Sequence, residues 1–234
     1  MAILNIISAG AAQSAVTQIA EKFQRESGNL INANFGAVGA MKQRVLAGEP
    51  ADVIILTAAL IDELIQRGFV VAGSRADLGR VGTGVAVRAR TPLPNVRNIR
   101  VLRGNLLAAT RIVCPDPAVA TAGKVVMNAL DQLGITEQVR PRLHFFPNGF
   151  AAMADLAQSS GLLEMGITQV TEILANTGVM LVGPLPAEVQ SAAVYAAGLA
   201  SRSAHPERSR EFIRRLTGTN AQAVLSSAGF EVGR

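Results

Sequence analysis

The feature that most constrains this chain is a strand-turn-helix cycle that recurs through residues 4–67. Leu4 to Ile7 reads as a short buried strand, and Ser8-Ala9-Gly10-Ala11-Ala12 as a turn of small residues. Ala15, Val16, Ile19, Ala20 and Phe23 then recur at helical spacing until Gly28. The cycle repeats with a strand at Leu30 to Phe35, the turn Gly36-Ala37-Val38-Gly39-Ala40 and a helix ended by Gly48. It begins again with a strand at Asp52 to Leu56 and a helix at Ala58 to Arg67. Strands separated by helices of this length predict right-handed crossovers on a mainly parallel sheet. The fold class expected is therefore α/β.

Past Gly82 the pattern resumes with different spacing. Strands are expected at Thr83 to Arg88, Ile112 to Cys114, Leu143 to Phe146 and Leu163 to Ile167. Thr91-Pro92-Leu93-Pro94 reads as a loop, and Pro184-Leu185-Pro186 as a break. Ser191 to Ala200 reads as one long strand, and His205 to Leu216 and Ala221 to Ser227 as closing helices. This divides the chain into a lobe of residues 1–82 and 189–234 and a lobe of residues 83–188.

Composition narrows the function. Apolar residues make up 49% of the chain and aromatics only 4%, without Trp, so the core must be aliphatic. No apolar run reaches the roughly 18 residues of a membrane span. The net charge of +5 supports a mild preference for anions. The basic residues are scattered and lack interleaved aromatics, which argues against nucleic acid; Arg97, Arg100 and Arg103 read as a solvated helix face. Cys114 is the single cysteine, so no internal disulfide can form, and it reads as a buried structural thiol. With His144 and His205 the only histidines, no zinc-ligand spacing exists and no cofactor is expected. The N-terminal residues show neither a basic start nor a cleavage site. A periplasmic location is expected if a signal peptide was removed, and a cytoplasmic one otherwise.

Ligands of open α/β sheets bind beyond the carboxyl ends of the strands. Four turns there are rich in small residues: Ser8 to Ala12, Gly36 to Ala40, Ala118 to Gly123 and Asn148 to Ala152. Small side chains let backbone N–H groups approach a ligand, and helix N-termini favour negative charge. The candidate ligand contacts are Ser8, Ala9, Gly10, Ala11, Ala37, Val38, Gly39, Thr121, Ala122 and Asn148. Lys42 could reach a carboxylate, and Thr57 is expected to cap the third helix whether or not it touches a ligand. Asp116, His144 and Glu172 are the candidate bases if the protein is an enzyme; the alternatives are a turn residue for Asp116, a packed strand residue for His144 and an exposed helix position for Glu172.

The chain resembles the molybdate-binding type of periplasmic solute-binding protein. The matching residues are Ser8-Ala9-Gly10-Ala11, Asn34-Phe35-Gly36, Ala47-Gly48-Glu49-Pro50-Ala51-Asp52-Val53, Ala120-Thr121-Ala122-Gly123, Gly166-Ile167, Tyr195 and Pro206-Glu207. The resemblance implies a two-lobed type II periplasmic-binding fold with a ligand cleft between lobes. It also implies a small anionic ligand, Thr168 and Gln169 near that ligand, and an ABC importer's permease as a partner. In that family serine hydroxyls of the first two turns bind the oxyanion; here Gly10 and Ala37, Val38 and Gly39 stand there. Gln169 stands where many members carry tyrosine. Each lost bond to a charged ligand is worth about 1.5–3 kcal/mol, so an organic carboxylate is expected over molybdate. Aconitate isomerase, which resembles the same family, is the enzyme alternative.

Overall fold

The computed structural model describes residues 1–233, which separate into two compact units. The first comprises Met1–Val81 and residues 193–233, and the second Gly82–Ala192.

In the first unit, β1 (Ile3–Ala9) passes through a 3-10 turn (Gly10–Ala12) into α1 (Gln13–Ser27). β2 (Leu30–Gly36), α2 (Val38–Leu46), β3 (Val53–Thr57) and α3 (Ala58–Gln66) follow. β1 lies between β2 and β3 and runs parallel to both, while β9 (Ala192–Leu199) pairs antiparallel with β3. The register sets Ala9 level with Gly36 and Ser8 level with Ile55, so the three parallel strands end together. β3 is buried on both faces, which explains its unbroken Val53-Ile54-Ile55-Leu56 run. Gly28 ends α1 at φ 69°, a left-handed conformation that costs glycine nothing. Phe23 of α1 meets Phe212 of α9 (Pro206–Thr217) edge to face, with centroids 5.2 Å apart, and α10 (Thr219–Ser227) completes that layer.

The second unit contains β4 (Ala76–Arg88, which begins in the first unit), α4 (Ile99–Ala108), β5 (Arg111–Pro115), α5 (Thr121–Gln132) and α6 (Thr136–Val139). β6 (Leu143–Phe146), α7 (Gly149–Gln158), β7 (Glu164–Gln169), α8 (Val170–Leu174) and β8 (Val179–Pro184) complete it. β5 is parallel to β6 and β7, and β4 pairs antiparallel with β7 and β8. Leu102, Leu106, Val126 and Leu130 belong to one core cluster, and Ala152, Met153, Leu156 and Ile173 to another. Helices thus cover both faces of the sheet, as strands buried on both sides require.

Candidate functional site

The arrangement starts from the shared end of β2, β1 and β3. The connection from β1 leads to β2 on one side, and the next crossover returns past β1 to β3. Strand order reverses between β1 and β3, the place where open α/β sheets leave a crevice at their carboxyl edge. The helices leaving that edge begin without side-chain caps. Ala9 precedes the 3-10 turn that opens α1, Ala37 precedes α2 and Thr57 precedes α3, and none of the three bonds an N–H of its helix through its side chain, so the cap expected of Thr57 is not formed. The first N–H groups of a helix have no partner within it. The ladder of α2 begins only when Met41 N–H bonds the Ala37 carbonyl at 3.0 Å. Val38, Gly39 and Ala40 therefore carry donors that the helix itself does not use. A helix start of this kind attracts negative charge.

Side chains add little here. Gly10, Ala11 and Ala12 are buried, and the Ser8 hydroxyl is spent on the Ala9 carbonyl at 3.0 Å. Val38 is buried in the first turn of α2, and Gly39 is half-buried beside it. Lys42 is held by Glu63, Nζ to Oε2 2.7 Å, and this bond keeps the Glu63 carboxyl below the usual carboxylate range.

In the second unit α5, α6 and α8 also begin without a side-chain cap. Ala120 precedes α5 without a capping side chain, and Thr121 and Ala122 open the helix. Asp116, beyond the end of β5, accepts from Ala118 N–H at 2.8 Å and shapes the turn. Cys114 lies just before it in β5; burial, with a smaller contribution from the Asp116 charge, pushes its thiol up to about 12, so it stays protonated. His144 is an exposed residue of β6, not a packed one.

The start of α7 is built differently. Asn148 caps it by accepting from Ala151 N–H at 2.9 Å. The Glu172 carboxyl takes backbone N–H bonds from Gly149 and Gln169 and accepts from the Thr168 hydroxyl at 2.5 Å. Glu172 is 5% exposed, which corrects the expectation of an exposed helix position. Burial pushes its carboxyl above the ordinary value, with the three hydrogen bonds opposing the rise. A Cβ at position 149 would collide with Glu172 Oε2 and Thr168 Oγ1, so only glycine leaves room for this carboxyl. Gln169 caps α8, and Glu172 three residues on reaches back to its N–H, which is half of a capping box. Asn148 and Glu172 thus both serve the start of α7, and Thr168 supports the Glu172 carboxyl. Sequence reading missed this cluster; its one local signal is the acid three residues after Gln169.

The fold and the row of uncapped starts define an α/β protein of the solute-binding class. The chain belongs to the bacterial extracellular solute-binding proteins, whose sequence model matches residues 4–231. It is 25% identical to an aconitate isomerase from a Pseudomonas species, over 97% of this chain and 87% of that one. It is 22% identical to the molybdate-binding protein ModA of Escherichia coli, over 98% of this chain and 89% of that one. The periplasmic molybdate-binding protein of Azotobacter vinelandii shares the fold, with a TM-score of 0.83 at 20% identity over 99% and 100% of the two chains. No helix among the described residues is long and apolar enough to cross a membrane.

Proposed function

We propose that this chain is a substrate-binding protein for a small organic carboxylate, held mainly by backbone N–H groups of the 3-10 turn that opens α1 and of the starts of α2 and α3. The observation that carries the reading is the set of three uncapped helix starts at one strand edge. Backbone donors and helix dipoles suit an anion of any shape, whereas a compact tetrahedral oxyanion gains most from hydroxyls placed around it. Gly10, Ala37, Val38 and Gly39 supply none, and the Ser8 hydroxyl is engaged elsewhere. Lys42 is the polar side chain assigned to the ligand's periphery. Delivery to an ABC importer's permease is the role this reading assigns to the bound form.

The test is a thermal-shift and titration screen with molybdate, sulfate, citrate, aconitate and succinate. A carboxylate is expected to raise the melting temperature most. A molybdate dissociation constant below that of every carboxylate tested overturns the reading.

A second reading, a tricarboxylate isomerase, is favoured by the likeness to aconitate isomerase across nearly the whole chain. An isomerase needs a base within about 3 Å of the abstracted proton. Glu172 is enclosed by its own hydrogen bonds, which leaves Asp116, partly exposed beyond β5, and His144, exposed on β6, to act as base. Incubation with cis- or trans-aconitate in deuterated water, followed by NMR, decides this. Exchange or conversion supports the enzyme, and its absence while a carboxylate binds removes it.

A further inference from the structure

The second unit carries a pocket of about 430 Å³ whose lining includes Val87, Pro92, Leu93, Leu162 and Met165. Its rim holds the largest exposed aliphatic side chains of that unit: Leu162 at 81%, Leu163 at 67% and Leu93 at 57%. Contiguous exposed apolar surface of this kind marks a binding site more often than idle surface. The segment that forms the rim is fixed. The Thr110 hydroxyl donates to the Leu162 carbonyl at 2.5 Å, and Thr110 N–H bonds the Leu163 carbonyl at 3.1 Å. Leu163 is held at φ 56°, a left-handed conformation rare for a side chain of its size.

Two ionisable side chains line the same pocket: Arg88 at the end of β4 and Glu164 at the start of β7. The antiparallel ladder of β4 with β7 ends at Ala86 and Gly166, and Arg88 and Glu164 lie just beyond that end on their strands. Here Arg88 Nε and Glu164 Oε2 are both enclosed, and neither has a hydrogen-bond partner. Enclosed polar atoms without partners are rare, and two at one pocket point to a ligand that satisfies both. The complement of an acid and a base beside an apolar wall is a molecule with adjacent carboxylate and ammonium groups on an apolar body.

We infer that this pocket binds an apolar α-amino acid, with Arg88 taking its carboxylate, Glu164 its ammonium group, and Pro92, Leu93 and Met165 its side chain. None of the pocket's lining residues belongs to the helix starts assigned to the anion, so either reading can fail without the other.

The test titrates leucine and phenylalanine into the full chain by calorimetry and ligand-observed NMR. Saturable binding with a dissociation constant below about 1 mM is expected. Isocaproate, which lacks the ammonium group, and isoamylamine, which lacks the carboxylate, should bind at least about tenfold more weakly. Ala108 is exposed on the pocket wall, so Ala108→Trp should fill the pocket and remove amino-acid binding while carboxylate binding elsewhere persists. Glu164→Gln, which keeps the side chain's shape, should weaken leucine at least about tenfold and serves if the Trp variant fails to fold. Absence of saturation by both amino acids, isocaproate binding as tightly as leucine, or undiminished binding in a folded Ala108→Trp overturns the inference. So does a leucine affinity unchanged in Glu164→Gln.

Discussion

The start of α2 and the start of α7 both follow a strand and a turn of small residues, yet they end in opposite states. At α2, Ala37 has no side-chain oxygen to offer, and the first N–H groups stay available. At α7, Asn148 and Glu172 take those groups, and Thr168 supports the carboxyl. One turn is left open to a negative ligand, while the other has been closed by a carboxyl side chain of the protein itself. The sequence itself separates them in part, with Asn148 at one cap position and Ala37 at the other. The rest of the difference is a carboxylate 23 positions beyond Gly149, brought there by the turn from β7 into α8.

The largest effect is expected at the closed start. Gly149→Val drives a side chain into Glu172 and Thr168 and should destabilise the protein by about 3 kcal/mol or more in urea unfolding. Adding Glu172→Ala should recover part of that loss, because the two side chains compete for one space. A Gly149→Val variant as stable as the parent would mean that the carboxyl does not occupy the helix start.

The next variant turns the open start into a closed one. Ala37 has the extended backbone of a capping residue, φ −58° and ψ 138°. Ala37→Asp should therefore stabilise the fold by about 1 kcal/mol while weakening carboxylate binding at least about tenfold. Opposite signs in melting temperature and affinity are the signature; a gain or a loss in both would break the comparison.

Glu172 should also leave a trace in the pH dependence of stability. Its folded carboxyl titrates above the ordinary value of 4.5, so the folded state binds a proton more tightly than the unfolded chain does. The contribution is full below pH 4.5 and is lost as pH rises through the folded value. Each pH unit crossed in that window costs about 1.4 kcal/mol. Glu172→Gln should remove this slope, which unfolding curves between acid and neutral pH will reveal. An unchanged slope contradicts the assignment.

The smallest effect is expected at Lys42. It pairs with Glu63 at the protein surface, and such pairs contribute about 1 kcal/mol or less. Lys42→Met should alter unfolding stability within that range and carboxylate affinity by less than about tenfold. A larger loss of affinity would bring Lys42 into direct contact with the ligand.

Most of the fold was legible because it rests on local patterns. The buried run Val53-Ile54-Ile55-Leu56 and the helical spacing of Ala15, Val16, Ile19 and Phe23 declare their elements without tertiary information. β8 was not legible. Val179 to Pro184 is mostly half-buried, lies close to Pro186, and is fixed as a strand by β4, far away in sequence. β4 itself begins at Ala76, where Asp77, Gly79 and Arg80 interrupt the apolar pattern that becomes readable only at Thr83. The turns were legible as turns, but their state was not. Whether a helix start is capped depends on partners such as Glu172 that only the folded chain brings near. The exposure of His144 was hidden for the same reason: Leu143-His144-Phe145-Phe146 reads as a packed strand, yet both His144 and Phe145 face solvent.

The central claim, that open helix starts bind the anion, is tested most directly by backbone amide NMR during a citrate titration. The account predicts saturable shifts at Gly10 to Ala12, Val38 to Ala40 and Ala58 to Leu60, with Gly149 to Ala151 unmoved. Shifts centred on Gly149, with the amides of Val38 to Ala40 still, would contradict it.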